Sequence, residues 1–433
     1  MTKRRNAEGM KGLTIYENWK AAIAGEPSRG AVEFPIFTDA HITGEISDGY
    51  GPYRFLNLLA FPIAYAVARP AIMVRVENHL AGPVAKMADS TDDTLYHGGW
   101  LQEEIAALVS LCMGIRAQTG GITREFEPDR NPRGRPETPK QPPPSIIPNP
   151  HGARMIPEAI GTHLLNEELK PLVDLPALRP AEVVELVRAA RLYAQAMWVA
   201  ESAPELSWLL FVSAVETGAS FTKSSAADPV ETLWLAQPKI VETLQAGCSA
   251  AVVTEVASQL VEILGATKAF LTFTREHIPD PPAARPPAWA QTSWTPSDLA
   301  NTLGKIYTYR SRALHGGKPF PAPMCMPPMR VTERTGAPAE RPYGIKMFTL
   351  GGTWTQDDVP INLHAFAYVV RGVLLKWWRS MAQGNPRDTS SRNASNLSGN
   401  SWKSTHLFSV SWPMHQSGEP SDARPRQAKC GFS

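Results

Sequence analysis

From position 180 onward, apolar residues recur at every third or fourth place, the spacing that puts them on one side of an α-helix. Over 181–201, Val184, Val187, Ala190, Leu192, Ala194 and Trp198 trace such a side, and Pro180 stands where proline starts helices. The stretch 204–220 carries Trp208, Leu209, Phe211, Val212 and Val215 and is apolar over so wide an arc that burial on most sides is expected. Further helices are predicted over 232–247 with a break at Pro238, over 250–274, over 296–315 and over 363–381. Ser293 or Thr295 is placed to cap the helix over 296–315, and Gly316 and Gly317 to stop it. Trp208, Phe211, Val215, Leu260 and Leu264 are expected in one core. Between the last two helices, 318–361 reads as an irregular or hairpin-like insertion.

Before position 128 the pattern is mixed. Residues 1–35 read as a weakly ordered lead-in with one helix near 16–24. The segment 36–127 reads as an α+β domain. Its β-branched run from Ala71 to Val76 predicts a strand, and 122–126 predicts another. Over 100–116, Leu101, Ile105, Leu108, Val109 and Cys112 predict a helix, with Glu103 and Glu104 in its first turn and Arg116 in its last, charges that suit its dipole. The apolar stretch 55–68 is interrupted by Asn57 and Pro62 and falls short of the about 20 residues a bilayer needs. A buried strand or helix is expected there. Residues 128–179 read as a proline-rich linker in which Arg130, Arg133 and Arg135 form a small, solvated basic cluster. From 384 to 433 Ser, Asn, Gly and Arg prevail, too little apolar surface to offset the entropy of ordering, so a disordered tail is expected. The expected fold is an α+β N-terminal domain followed by an all-α bundle over 180–380 and a disordered C-terminal tail.

Composition narrows this picture. A chain of 433 residues is long for a single core, which favours two domains. Its 40 prolines are about twice the average share, so long irregular connections are expected. The net charge of +2 excludes a global polycation, and any nucleic-acid surface must be a local patch. Cys112, Cys248, Cys325 and Cys430 are too dispersed for a zinc site or a disulfide framework, which fits a reducing cytoplasm. The basic N-terminal segment lacks the apolar run of a secretory signal. No phosphate-binding glycine loop and no H-E-x-x-H occurs, so neither a cofactor nor a catalytic metal is expected.

The stretch 303–317 carries the chemistry. Tyr309 precedes Arg310, His315 follows Arg310 after four intervening positions that begin with Ser311 and Arg312, and Gly316 comes next. This string resembles the signature of the Apea-like HEPN family. Residues 198–217, including Ser213 to Glu216, resemble that family's early helix pair, and 366–378 its closing helix, so the resemblance covers roughly 180–380. It implies a helical bundle, a metal-independent endoribonuclease site, RNA as partner, a homodimer that brings two Arg–His sets together, and a setting in bacterial defence or a toxin-like system. No membrane association is implied.

The chemistry of the residues suits that implication. An imidazole titrates near pH 6.5 and exchanges protons at cellular pH. A guanidinium stays charged and offers a planar fork to phosphate. His315 and Arg310 are the expected catalytic pair, with Ser311 orienting the phosphate or the imidazole. Tyr309, Arg312 and Glu216 are supporting candidates, Glu216 as an ion-pair partner for Arg310 or Arg312. The plainer reading is that Arg and His in a last helical turn complement the dipole, and the alternative function is a non-catalytic interaction, dimerisation or nucleic-acid-binding scaffold. His277 and His364 read as surface or capping residues, and His97 as part of a turn before a helix.

Overall fold

The computed structural model describes residues 12–58, 68–81, 90–127, 131–136, 145–146, 152–222, 229–230, 233, 238–331, 336–342 and 351–384. The N-terminal part is a seven-stranded antiparallel sheet in the order β3-β4-β5-β1-β7-β8, with β6 also pairing β1. The strands are β1 (Ala31–Thr38), β3 (Glu45–Ile46), β4 (Tyr53–Asn57), β5 (Arg69–Glu77), β6 (Gln118–Thr119), β7 (Arg124–Glu127) and β8 (Asn131–Pro136). A separate parallel pair joins β2 (His41–Thr43) to β9 (Thr162–Leu164). The helices are α1 (Thr14–Ile23), α2 (Leu101–Met113), α3 (Leu165–Glu168), α4 (Pro180–Val199), α5 (Pro204–Thr222), α6 (Pro238–Gly247), α7 (Ala250–Glu276), α8 (Pro296–Gly316) and α9 (Leu363–Gly384).

The central strand β1 contains Pro35, a residue that cannot donate to a ladder. The neighbour on one side of β1 is divided: β7 pairs Ala31 to Glu33, and β6 pairs Ile36 and Phe37. The Pro35 carbonyl accepts a bond from the Gly120 amide across the gap (2.8 Å), so the missing N–H faces the place where the ladder is already interrupted. On β5, Ile72, Val74 and Val76 alternate with the less buried Met73, Arg75 and Glu77, the period of a sheet covered on one face. That covered face carries Phe34, Ile36, Phe55, Ile72 and Val74, which share one continuous core with Leu108 of α2, Val187 of α4 and Phe211 of α5.

This single core changes the expected division of the chain. The lead-in over 1–35 holds α1 and the start of β1, and Leu13, Ile15, Tyr16 and Trp19 are buried in the common core. The proline-rich stretch 128–179 is in large part built into the body. β8 pairs β7 as an edge strand, where its prolines cost no ladder bond. Pro157–Ile160 and Lys170–Ala177 form 3-10 helices, and Leu165, Leu169, Leu172, Leu175 and Leu178 are buried. Residues 128–130, 137–144 and 147–151 lie outside the described residues. So do 59–67 of the apolar stretch, Trp234, and the tail beyond Gly384 expected to be disordered.

The helical part starts at Pro180 as expected. Trp208 of α5 is fully buried, stacks on Phe366 at 4.9 Å and Phe320 at 5.5 Å, and donates from its indole to the Met324 carbonyl (3.1 Å). A Cβ on Gly218 would come within 2.6 Å of the Phe273 ring, so glycine there lets α5 approach α7 closely. Leu260 departs from the expected arrangement. It packs into a small satellite cluster with Leu233, Val241 and Ala257, apart from the core that takes Trp208, Phe211 and Val215. The side chain of Leu264 lies outside the described residues. The insertion 318–361 includes short 3-10 turns at Ala322–Cys325 and Gln356–Asp358 and one bridge from Arg330 to Pro338. Among the described residues no single helix is long and apolar enough to cross a membrane. The two segments of α7, Ala250–Leu260 and Gly265–Glu276, reach that composition only together, across a 59° bend.

Helix α8 begins at a Thr295 cap, whose hydroxyl accepts from the Asp298 amide (3.3 Å), and ends at Gly317 with φ 60°. Thr295→Ala is expected to cost about 1 kcal/mol, the usual value of an N-cap. An unchanged urea midpoint would show that this cap adds nothing to the stability of α8.

Candidate functional site

Helix α8 is held to the body by Leu299, Leu303, Ile306 and Tyr307, all buried, with the Tyr307 ring 5.1 Å from Phe270 of α7. These residues fix its rotation and so decide where the motif in its last two turns points. Arg310 faces inward and is 19% exposed. Its Nη2 donates to Glu216 Oε2 of α5 at 2.7 Å, while Glu216 Oε1 accepts from the Tyr307 hydroxyl at 2.9 Å. The guanidinium also lies 5.6 Å from the Tyr307 ring centre. Burial raises the Tyr307 pKa, the bond to Glu216 raises it further, and the Arg310 charge opposes both. One donor of the fork is thus engaged, while Arg310 Nε is buried without an acceptor among the described residues.

His315 is exposed and makes no hydrogen bond or ion pair among the described residues. Five residues along an α-helix is a rotation of about 140° from Arg310, so the two side chains leave the helix on different sides. Ser311, half-buried, lies one turn before His315 on its face. The neighbouring Arg312 and Lys318 are exposed, and with His315 they make a basic rim at the C-terminal end of α8. Leu314 is 51% exposed beside it. Tyr309 turns the other way, donating to the Asp358 carbonyl (2.7 Å) and meeting the Phe320 ring edge-on, which anchors the 356–358 turn against α8. The structure therefore joins Arg310, Glu216 and Tyr307 in one cluster and keeps His315 and Arg312 apart from it, in solvent. Tyr307 was not singled out in the sequence. Its i−3 spacing from Arg310 was the signal that places both on one face.

Two other histidines are integral to the body: His97, just before α2, and His364, expected as a surface or capping residue. His97 contacts the buried Glu104 at 3.1 Å, and Glu104 also accepts from the Ile15 amide at 2.8 Å. His364 is buried at the start of α9, 3.0 Å from Glu158 and 2.8 Å from the Ala339 carbonyl. Burial lowers the His364 pKa, yet the Glu158 carboxylate and the carbonyl outweigh it and hold the pKa above the ordinary 6.5. Burial raises that of Glu158, but the imidazolium prevails and holds it below 4.5.

The sign of the pH effect follows. The raised histidine stabilises the fold below pH 6.5, and this contribution is lost as pH rises through its folded pKa. The lowered glutamate stabilises above pH 4.5, and its contribution is lost as pH falls through its folded pKa. Because the Glu158 side chain is 55% exposed, solvent screens the pair. The deficit of His364→Gln relative to the parent is expected to be largest between pH 4.5 and 6.5 and to shrink in alkali. Denaturant titrations at pH 5 and 9 read this difference, and a deficit that grows in alkali would contradict it.

Among the described residues no group of three or more His, Cys, Asp or Glu side chains could hold a metal ion. Comparison with family models, curated proteins and solved structures finds no match to this chain.

Proposed function

We propose that the protein is a HEPN-type ribonuclease whose site is completed when two chains bring the C-terminal ends of their α8 helices together. The observation that carries this reading is the contrast within one motif. Arg310 is fixed by Glu216 with donors of its fork still unused, while His315, two turns beyond the buried Tyr307, stands exposed and without a partner among the described residues. An exposed imidazole is free to move protons. A braced guanidinium is positioned to stabilise the charge that grows on a phosphorane. Arg312 and Lys318 add positive charge at the rim, where the RNA backbone would lie. Since Arg310 and His315 diverge on their own helix, convergence on one phosphate calls for a second copy, and C2 pairing is the commonest way to supply it.

A second reading draws on the Arg310–Glu216 pair itself. That contact ties α8 to α5 as an internal brace, which a non-catalytic dimerisation or RNA-binding module would need equally. Incubation of the full chain with mixed RNAs in EDTA, beside His315→Ala, separates the two. Cleavage lost in the variant supports the ribonuclease; RNA bound but uncut by the parent supports the module.

A further inference from the structure

A second site lies far from the motif in sequence. A cavity of about 410 Å³ opens between α4, α9 and the proline-containing loops 282–286 and 337–338, and no residue of α8 lines it. This volume is in the range of small-molecule sites. Its walls are mainly apolar, with Met113, Ile156, Met197 and Ala365 among them.

Two polar groups in this wall are under-used. Tyr193 of α4 is 1% exposed, and its hydroxyl has no hydrogen-bond partner among the described residues. A hydroxyl at a cavity wall with no protein acceptor is a donor left over for a ligand atom. Arg371 of α9 donates to the carbonyls of Leu111 and Cys112 at the end of α2, but pairs with no carboxylate among the described residues. Its charge reaches the Tyr193 hydroxyl: burial raises the pKa of that phenol, and Arg371 lowers it. The acidic groups of the wall are all engaged. Glu158 faces His364 at 3.0 Å, Glu168 faces His163 at 3.0 Å, and Glu340 takes a bidentate pair from Arg285.

We infer that this cavity binds a small monocarboxylate with an apolar body, aromatic or branched-aliphatic, its carboxylate on Arg371 and the Tyr193 hydroxyl and its body against Met113, Ile156 and Met197. The site goes beyond the ribonuclease reading and does not depend on it. An unpaired guanidinium and a phenolic O–H are both donors, so they select an acceptor, and the charge of Arg371 selects an anion. The wall leaves no second cation free for a phosphate or a dicarboxylate.

The test uses the full chain with benzoate, indole-3-acetate and 4-methylpentanoate as probes, followed by calorimetry and thermal unfolding. At least one acid is expected to bind with Kd of about 1 mM or tighter and to raise the Tm. Uncharged benzamide and bodiless acetate should bind at least about 10-fold more weakly, as each lacks half of the recognised structure. Tyr193→Phe keeps the ring packing and removes only the hydroxyl. It is expected to weaken the acid about 10-fold while leaving the unliganded Tm unchanged or higher. Arg371→Gln should abolish binding, but it also releases the end of α2, so Tyr193→Phe is the decisive variant. The assignment is overturned if none of the three acids binds, if benzamide binds as tightly as benzoate, or if Tyr193→Phe binds the acid as well as the parent.

Discussion

RNA incubated with the full chain in EDTA is expected to be cut, and His315→Ala to slow the reaction about 100-fold or more, the usual scale for losing a general acid or base. The 2′-oxygen attacks the adjacent phosphorus and gives up its proton to a base. The bond from phosphorus to the 5′-oxygen breaks, and that oxygen takes a proton from an acid. In the proposed mechanism the two roles fall to one imidazole from each of two chains. The products therefore end in a 2′,3′-cyclic phosphate or its hydrolysed form, and DNA, which lacks the nucleophile, survives. None of these roles calls on a metal, so EDTA leaves the rate unchanged. Arg310→Lys is expected to restore activity only in part, because a point charge cannot hold Glu216 and a phosphate with one planar fork. Dilution below the dimer dissociation constant should lower the specific rate. Since His315 is exposed and unpartnered, its replacement should leave the Tm unchanged, which separates chemistry from folding. Undiminished cleavage by His315→Ala would remove this histidine from the mechanism and the ribonuclease reading with it.

The parts of the fold that were legible in the sequence are those in which one helix carries its own signal. The apolar period, Pro180 and the Thr295 and Gly317 caps fix α4, α5, α8 and α9 to within a few residues, because helical hydrogen bonds are local. The sheet was less legible for the opposite reason. A proline inside a run of strand formers argues against a central strand, and Pro35 is tolerated only because β6 and β7 divide the neighbouring ladder, a fact of tertiary pairing. The 3-10 helix over Lys170–Ala177 was hidden by Pro171 and Pro176, although Leu169, Leu172, Leu175 and Leu178 repeat at the three-residue period of that helix. In the candidate site, the motif and Glu216 could be named in advance. Which way each side chain turns could not, since it depends on how Leu303, Ile306 and Tyr307 seat α8. The place of His364 near a helix end suggests a surface or capping residue. Leu363, Ala365 and Phe366 around it were the sign that this turn is apolar on all sides.

Arg116 is expected to be the costliest single charge to remove. The sequence places it in the last turn of α2 as a complement to the helix dipole, but the helix stops at Met113 and the Arg116 side chain is fully buried. Its Nε and Nη2 grip Asp39, beyond β1, at 2.7–3.1 Å, and its Nη1 reaches Glu201, between α4 and α5, at 3.3 Å. Glu201 also accepts from the Met155 amide at 3.0 Å. One guanidinium thus joins the sheet, the 152–178 segment and the helices at a point water does not reach. Arg116→Met keeps much of the side-chain volume but leaves the buried Glu201 without its cation and Asp39 with only Arg154, at 3.9 Å. The expected loss is about 3–5 kcal/mol, the scale for breaking a buried pair from one side. The exposed pair of Arg135 and Glu125 is the comparison: Arg135→Ala should cost less than about 1 kcal/mol. Glu201→Gln keeps an acceptor for the Met155 amide and should fall between them. Urea midpoints at pH 7 measure all three. A loss for Arg116→Met no larger than that for Arg135→Ala would mean that water reaches Asp39 and Glu201, and that the sheet and the helices are not locked through this arginine.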